Sequence, residues 1–165
     1  MSEPEGTLST GARANDKAGV LVRPPFVYLG ALVLAFGIDR VWPVSLLPAG
    51  VQYSGGTALI VLGALVMALA VRRFRAAGTN VETGKPTTAV VTGGPYGYSR
   101  NPIYLSLTAI AAGIGIAADN LWVLALLAPV LAVVRYGVVA REERYLERKF
   151  GEDYRRYRAS VRRWL

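Results

Sequence analysis

The chain has 165 residues, 53% of them hydrophobic and only 18% charged, and its 19 Lys and Arg against 11 Asp and Glu give a formal net charge of +8. So apolar a composition excludes an ordinary water-soluble domain of this size and points to lipid, where a basic excess suits anionic headgroups. Cysteine and histidine are both absent, which removes disulfides, thiol nucleophiles, Cys or His metal ligation and every His-based triad, and leaves any chemistry to carboxylates, Arg, Tyr, Asn, backbone groups and a borrowed reagent.

Residues 1–23 are small, polar and of mixed charge, with no periodic apolar face. They predict a disordered tail and lack the architecture of a signal peptide. The uncharged run Pro24 to Ile38 predicts a first transmembrane helix at about 24–42. Val41 to Val71 also carries no charge, but Pro43, Pro48 and Gly50 break its first half, so the second helix falls at about 53–71. Each approaches the roughly 20 residues that cross a hydrocarbon core of about 30 Å. The runs Asn101–Ala118 and Asn120–Val134, separated only by the Asp119-Asn120 corner, predict a hairpin of helices at about 102–118 and 120–140. Basic residues gather between the second and third helices (Arg72, Arg73, Arg75, Lys85, Arg100) and from Arg141 onward. The positive-inside rule then places both termini and the 72–101 segment in the cytoplasm. The expected fold is all-α: a polytopic membrane domain over 24–165 with four transmembrane helices, an ordered cytosolic connector and a C-terminal amphipathic helix.

The connector is too long for a simple link between packed helices. Gly78, Gly84, Pro86, Gly93-Gly94-Pro95 and Gly97 surround an extended-type run, Thr87 to Thr92, a punctuation that fixes turns and predicts an ordered cap. The richest stretch is Gly93-Gly94-Pro95-Tyr96-Gly97-Tyr98-Ser99-Arg100-Asn101-Pro102-Ile103-Tyr104. Arg100 can fork onto a carboxylate, Asn101 can donate and accept, and Pro102 suits a first helical turn. An aromatic belt with a snorkelling Arg is the plainer alternative. A second block, Arg141-Glu142-Glu143-Arg144-Tyr145-Leu146-Glu147-Arg148-Lys149-Phe150-Gly151, sets two adjacent carboxylates against the local charge trend, either paired with the surrounding Arg or accepting hydrogen bonds from ribose hydroxyls or an amino group. Leu146, Phe150, Tyr154, Tyr157, Val161 and Trp164 then recur at helical spacing, predicting a basic amphipathic helix on the cytosolic leaflet, interrupted at Gly151. Tyr154 and Tyr157 alternatively line a cofactor pocket. Arg135 is a functional candidate by its depth, or snorkels. Gly113-Ile114-Gly115-Ile116-Ala117-Ala118 matches a dinucleotide-binding pattern, yet inside an apolar hairpin it reads as close helix packing. No metal site is expected.

The pattern Gly94-Pro95-Tyr96, Arg100-Asn101-Pro102-x-Tyr104, then Glu142-Glu143-x-x-Leu146-x-x-x-Phe150-Gly151-x-x-Tyr154-x-x-Tyr157 resembles the isoprenylcysteine carboxyl methyltransferases, a broad family with phospholipid methyltransferase-like members. The resemblance covers roughly residues 70–165. It implies an integral membrane enzyme that uses S-adenosylmethionine without a Rossmann domain and transfers methyl to a lipophilic or small membrane-partitioning carboxylate, thiol or amine entering from the bilayer. By the same resemblance Gly78 and Thr79 belong to a glycine-containing cofactor segment. Gly94, Pro95 and Tyr96 lie along the nucleoside, Arg100, Asn101 and Tyr104 hold the methionyl end, and Glu142 and Glu143 anchor the cofactor's polar groups. Tyr154 joins the cofactor set, and Arg100, Asn101, Tyr104 and Glu142 are the candidate catalytic residues. Many members carry His where this chain has Asn101, and here Leu105-Ser106 replaces the familiar Gly after Tyr104. Two rivals are an NADPH-dependent membrane reductase and a non-catalytic membrane adaptor.

Overall fold

The computed structural model describes residues 19–20, 22–45, 47–48, 50–79 and 87–165. Helix α1 spans Pro24–Val41, α2 Val51–Ala76, α3 Pro102–Ala117, α4 Leu121–Val134 and α5 Ala140–Ser160. A short 3-10 turn occupies Gly94–Gly97, and a π-helical segment, Arg135–Val139, joins α4 to α5. No strand occurs among the described residues. Three helical stretches are long and apolar enough to cross a membrane, Pro24–Val41, Val51–Ala76 and Leu121–Ser160, and Pro102–Ala117 is a shorter apolar one. In the last long stretch Arg135 stands alone, and charges become dense only from Arg141, so its apolar part ends near Ala140. The protein is an all-α polytopic membrane protein.

Local chemistry explains the boundaries. Pro occupies the first turn of α1 and of α3, where its missing N–H costs nothing. Helix α2 runs on to Ala76, past the expected end at 71, because Arg72, Arg73 and Arg75 propagate helix well. Gly78 then ends it at φ +63°, with Gly78 N–H donating to the Arg75 carbonyl and Thr79 N–H to the Phe74 carbonyl, the reciprocal pattern of a Schellman cap. At the α3–α4 corner Asp119 takes φ +48°, and Asn120 caps α4 by accepting the Val123 N–H at 3.1 Å. The π-helical segment corrects the expectation of a regular fourth helix to 140: one extra residue is accommodated just before the glutamate pair.

Helix α3 is central, packed against α1, α2 and α4. Its seam with α2 is made by glycine. A Cβ at Gly56 would stand 2.6 Å from the Gly113 carbonyl oxygen, and one at Gly113 would stand 2.8 Å from that of Gly56. Gly115 faces the other way, where a Cβ would meet Val123 Cβ at 2.8 Å. The Gly113–Ala118 pattern is thus helix-packing surface, as its apolar setting implied. On the α1 side Tyr28 Oη lies 2.8 Å from Thr108 Oγ1, which donates to the Tyr104 carbonyl at 2.8 Å. With sixteen residues at about 1.5 Å each, α3 is roughly 24 Å long. That is less than a hydrocarbon core of about 30 Å.

Three expectations change. Much of the tail over 1–23 lies outside the described residues, but Val20 packs against the core and the exposed Gly19 carbonyl accepts from Arg141 Nη1 at 3.1 Å. Of the connector, residues 80–86, with Gly84, Lys85 and Pro86, lie outside the described residues. Helix α5 is amphipathic and breaks its geometry at Gly151 (φ +52°), but it ends at Ser160, and Val161 is already extended. Val161 and Trp164 therefore leave the helical series, and Trp164 packs instead on the Val134–Val138–Val139 cluster. Part of the apolar face of α5 is turned inward: Tyr154 and Tyr157 are buried in the protein, while Leu146 and Phe150 are half-buried. Arg135 is exposed, with its guanidinium 5.4 Å from the Tyr136 ring, which fits a snorkelling residue.

Candidate functional site

The two motif blocks meet at the N-terminal end of α3. Proline at the first helical position sets Asn101 as the α3 cap residue, and Tyr104, one turn on, points at α5. Its hydroxyl donates to both oxygens of Glu142, at 2.9 Å each. Arg100 Nη1 lies 3.1 Å from Glu143 Oε1, each side chain 9% exposed. Two residues adjacent in α5 thus hold two residues four apart in the other block, at the junction that the π-helical segment leads into.

The two glutamates differ sharply. Glu143 is saturated with positive charge, because Arg163 also forks onto it, Nε to Oε1 at 3.0 Å and Nη2 to Oε2 at 2.7 Å. Glu142 has no cation among its described partners. Its carboxylate is crowded by protein, while the residue as a whole keeps intermediate exposure. Burial raises its pKa to about 7; the Tyr104 hydrogen bond opposes that shift and the Glu143 charge adds to it. A carboxylate in such a place favours a cation or a hydroxyl donor. Arg100 complements it. Its Nε and Nη1 are buried without a hydrogen-bond partner among the described residues, because the Glu143 contact is ionic but off the donor line. Unspent guanidinium donors favour an anion.

The other expected residues are held by contacts of their own. Tyr96 is buried, its ring 5.1 Å from that of Phe74 and its carbonyl accepting the Tyr157 hydroxyl at 2.8 Å. Burial pushes the Tyr96 hydroxyl pKa up. Tyr154 is buried beside Arg100 and edge-on to Tyr157, ring centroids 6.2 Å apart. Gly94 sits at φ +64°, a backbone conformation that favours glycine, beside the Arg73 side chain. Pro95 opens the 3-10 turn. Asn101 is buried, and its amide donates to the Arg163 carbonyl at 2.9 Å. Gly78 and Thr79 stand at the α2 cap, where Thr79 Oγ1 accepts the Thr88 N–H at 2.9 Å; that contact pins the connector to α2.

Sequence reasoning missed Arg73, Phe74, Ser99 and above all Arg163. Helix α2 had been ended too early to bring Arg73 and Phe74 under the 3-10 turn. Nothing distinguished Arg163 from Arg155, Arg156, Arg158 and Arg162 in the same basic stretch. No group of His, Cys, Asp or Glu suited to a metal ion occurs among the described residues.

A stretch of 35 residues is 57% identical to an uncharacterized protein of Haemophilus influenzae. The match covers 21% of this chain and 56% of that protein, so the chain spans about half the length of the curated relative it matches. No solved structure matches the chain. The phospholipid methyltransferase pattern matches residues 51–153, which contain α2, the 3-10 turn, α3, α4 and both motif blocks up to Gly151; the chain belongs to the phospholipid methyltransferase family of integral membrane methyltransferases.

Proposed function

We propose that the chain transfers a methyl group from S-adenosylmethionine to a lipophilic or small membrane-partitioning acceptor at the motif-bearing, cytosolic end of the bundle. The observation that carries the reading is the placing together, through Glu143 and Tyr104, of Arg100, with buried donors that lack hydrogen-bond partners, and Glu142, a buried carboxylate with no arginine among its described partners. An amino-acid ligand has a carboxylate for the first and a cationic or hydroxyl-bearing portion for the second, so the residues present fit this cofactor. When bound, it supplies a methyl on a sulfonium that is its own leaving group. The protein's share would be alignment and exclusion of water. Arg100 orients the anionic end, and Tyr104 fixes the Glu142 carboxylate by a bifurcated hydrogen bond. An apolar acceptor would enter from the bilayer and the soluble cofactor from the cytosolic side.

Calorimetric titration of the detergent-solubilised protein tests the reading. Heat is expected with S-adenosylmethionine and none with NADPH; the reverse result favours a reductase, and silence with both an adaptor. Arg100→Ala and Glu142→Gln are each expected to weaken cofactor binding by about 1.5–3 kcal/mol, the range for charge-assisted hydrogen bonds. Wild-type affinity in both variants would remove this site.

The raised pKa of Glu142 adds a pH signature. Burial favours the neutral carboxyl, so this group's contribution to folding is full below its ordinary value of 4.5 and is lost as pH rises through about 7. Binding of a cation runs the other way, since it needs the ionised form. Affinity is therefore expected to rise between pH 6 and 7.5, by at most about tenfold per pH unit, and to become flat in Glu142→Gln. If turnover instead of affinity follows this titration, Glu142 is the base that deprotonates an amine or hydroxyl acceptor.

A further inference from the structure

Beyond the helices, Val161–Leu165 returns across the motif block. The Arg162 carbonyl accepts the Arg100 N–H at 3.0 Å. The Arg163 carbonyl accepts both Ser99 Oγ at 3.3 Å and Asn101 Nδ2 at 2.9 Å. Three consecutive residues of the block are thus tied to this short segment, whose Trp164 is anchored in the core. The segment lies outside the range that defines the family in this chain.

The Arg163 side chain has a second effect. It takes both oxygens of Glu143 in a fork, while Arg100 reaches a single oxygen from a poor angle. Two guanidiniums share one carboxylate, and the outer one, 32% exposed, holds the better geometry. A carboxylate engaged by one fork cannot offer a second fork to Arg100. The inner guanidinium is therefore held by an ion pair from Nη1, yet neither its Nε nor its Nη1 has a hydrogen-bond partner among the described residues.

We infer that Arg163 is a positioning residue that withholds Glu143 from Arg100 and so keeps the Arg100 donors available for the carboxylate of an amino-acid ligand. The inference rests on the proposed cofactor reading and adds a residue to it. Without the Arg163 fork, Glu143 turns to Arg100, pairs with it fully, and closes the anion site from within. The cost falls on recognition of the ligand's carboxylate, not on the rest of the ligand.

The test compares S-adenosylmethionine with its decarboxylated analogue by calorimetry on full-length wild type, Arg163→Ala and Arg163→Lys in detergent. Wild type is expected to prefer the carboxylate-bearing ligand by about tenfold or more, the equivalent of one charge-assisted contact. Arg163→Ala is expected to lose most of that preference while binding the analogue within about twofold of wild type. Arg163→Lys, which keeps the charge without the fork, is expected to fall between them. A merely structural role would weaken both ligands together and leave their ratio unchanged, and that result overturns the inference. If Arg163→Ala does not fold, the ratio is read in Arg163→Lys, where an unchanged preference overturns it equally. If wild type binds neither ligand, the cofactor reading itself fails; if wild type binds both alike, Arg100 is not the carboxylate site and the inference falls while that reading stands.

Discussion

Gly113→Val is expected to cost about 3 kcal/mol or more and to lower the melting temperature in detergent by about 6–12 °C. The new Cβ alone would stand 2.8 Å from the Gly56 carbonyl oxygen and 2.9 Å from the Ile60 amide nitrogen. These are backbone atoms of α2, which cannot rotate away like the end of a flexible side chain, so the helices must separate along their whole seam. In a membrane that separation forfeits close van der Waals packing, the main force that holds helices together where lipid is as apolar as leucine. Gly30→Val and Gly37→Val on α1 serve as controls, since a Cβ there meets nothing within 4 Å; each is expected to change stability by no more than about 0.5 kcal/mol. The Trp42–Trp122 pair, ring centroids 6.4 Å apart and tied by Trp122 Nε1 donating to the Trp42 carbonyl at 2.7 Å, gives a fluorescence signal for unfolding at the opposite end from the motif blocks. Equal losses at Gly113 and Gly30 would mean that glycine acts there through helix propensity and not through contact.

The same glycines show what the sequence reveals and what it conceals. Apolar runs, proline at helix starts and the Asp119-Asn120 corner are local signals, and the helices they predict are found within a few residues. Gly113 could be assigned to packing because its setting ruled out a phosphate loop, but its partner Gly56 lies 57 positions earlier in a run of similar residues, and no local signal couples them. The end of α2 was misplaced for a related reason: charge at Arg72 marks where the bilayer core ends, not where the helix does. Helix α5 misled most. Its apolar series fits a leaflet-bound helix equally well, and only tertiary contact shows that Tyr154 and Tyr157 face the protein's own motif block.

At the site, residue types were legible and their division of labour was not. Arg100, Tyr104, Glu142 and Glu143 stand out as specialised residues at a membrane boundary, and the fold brings all four together. Which glutamate faces a ligand depends on the position of a third charge. Arg163 approaches from a segment that carries no motif, and the π-helical turn before α5 sets which carboxylate it meets. One-residue register of that kind is invisible to periodicity arguments.

The neighbouring glutamates should therefore respond oppositely to the same change. Glu143→Gln removes the only carboxylate shared by Arg100 and Arg163 and leaves one guanidinium buried beside another. Breaking a buried ion pair from one side costs about 3–5 kcal/mol; the lower figure applies here because Arg163 keeps partial access to water. Glu143→Gln is thus expected to melt about 6–12 °C below wild type. Glu142→Gln should melt close to wild type near pH 7, because burial already favours the neutral form of that carboxyl and a glutamine still accepts the Tyr104 hydrogen bond. Its defect should appear in cofactor affinity instead. Paired melting and binding curves on the two variants separate a glutamate that holds the fold from one that faces a ligand. Loss of stability in both variants by the same amount would show that Glu142 is as structural as its neighbour, and the proposed site would then lack its cation partner.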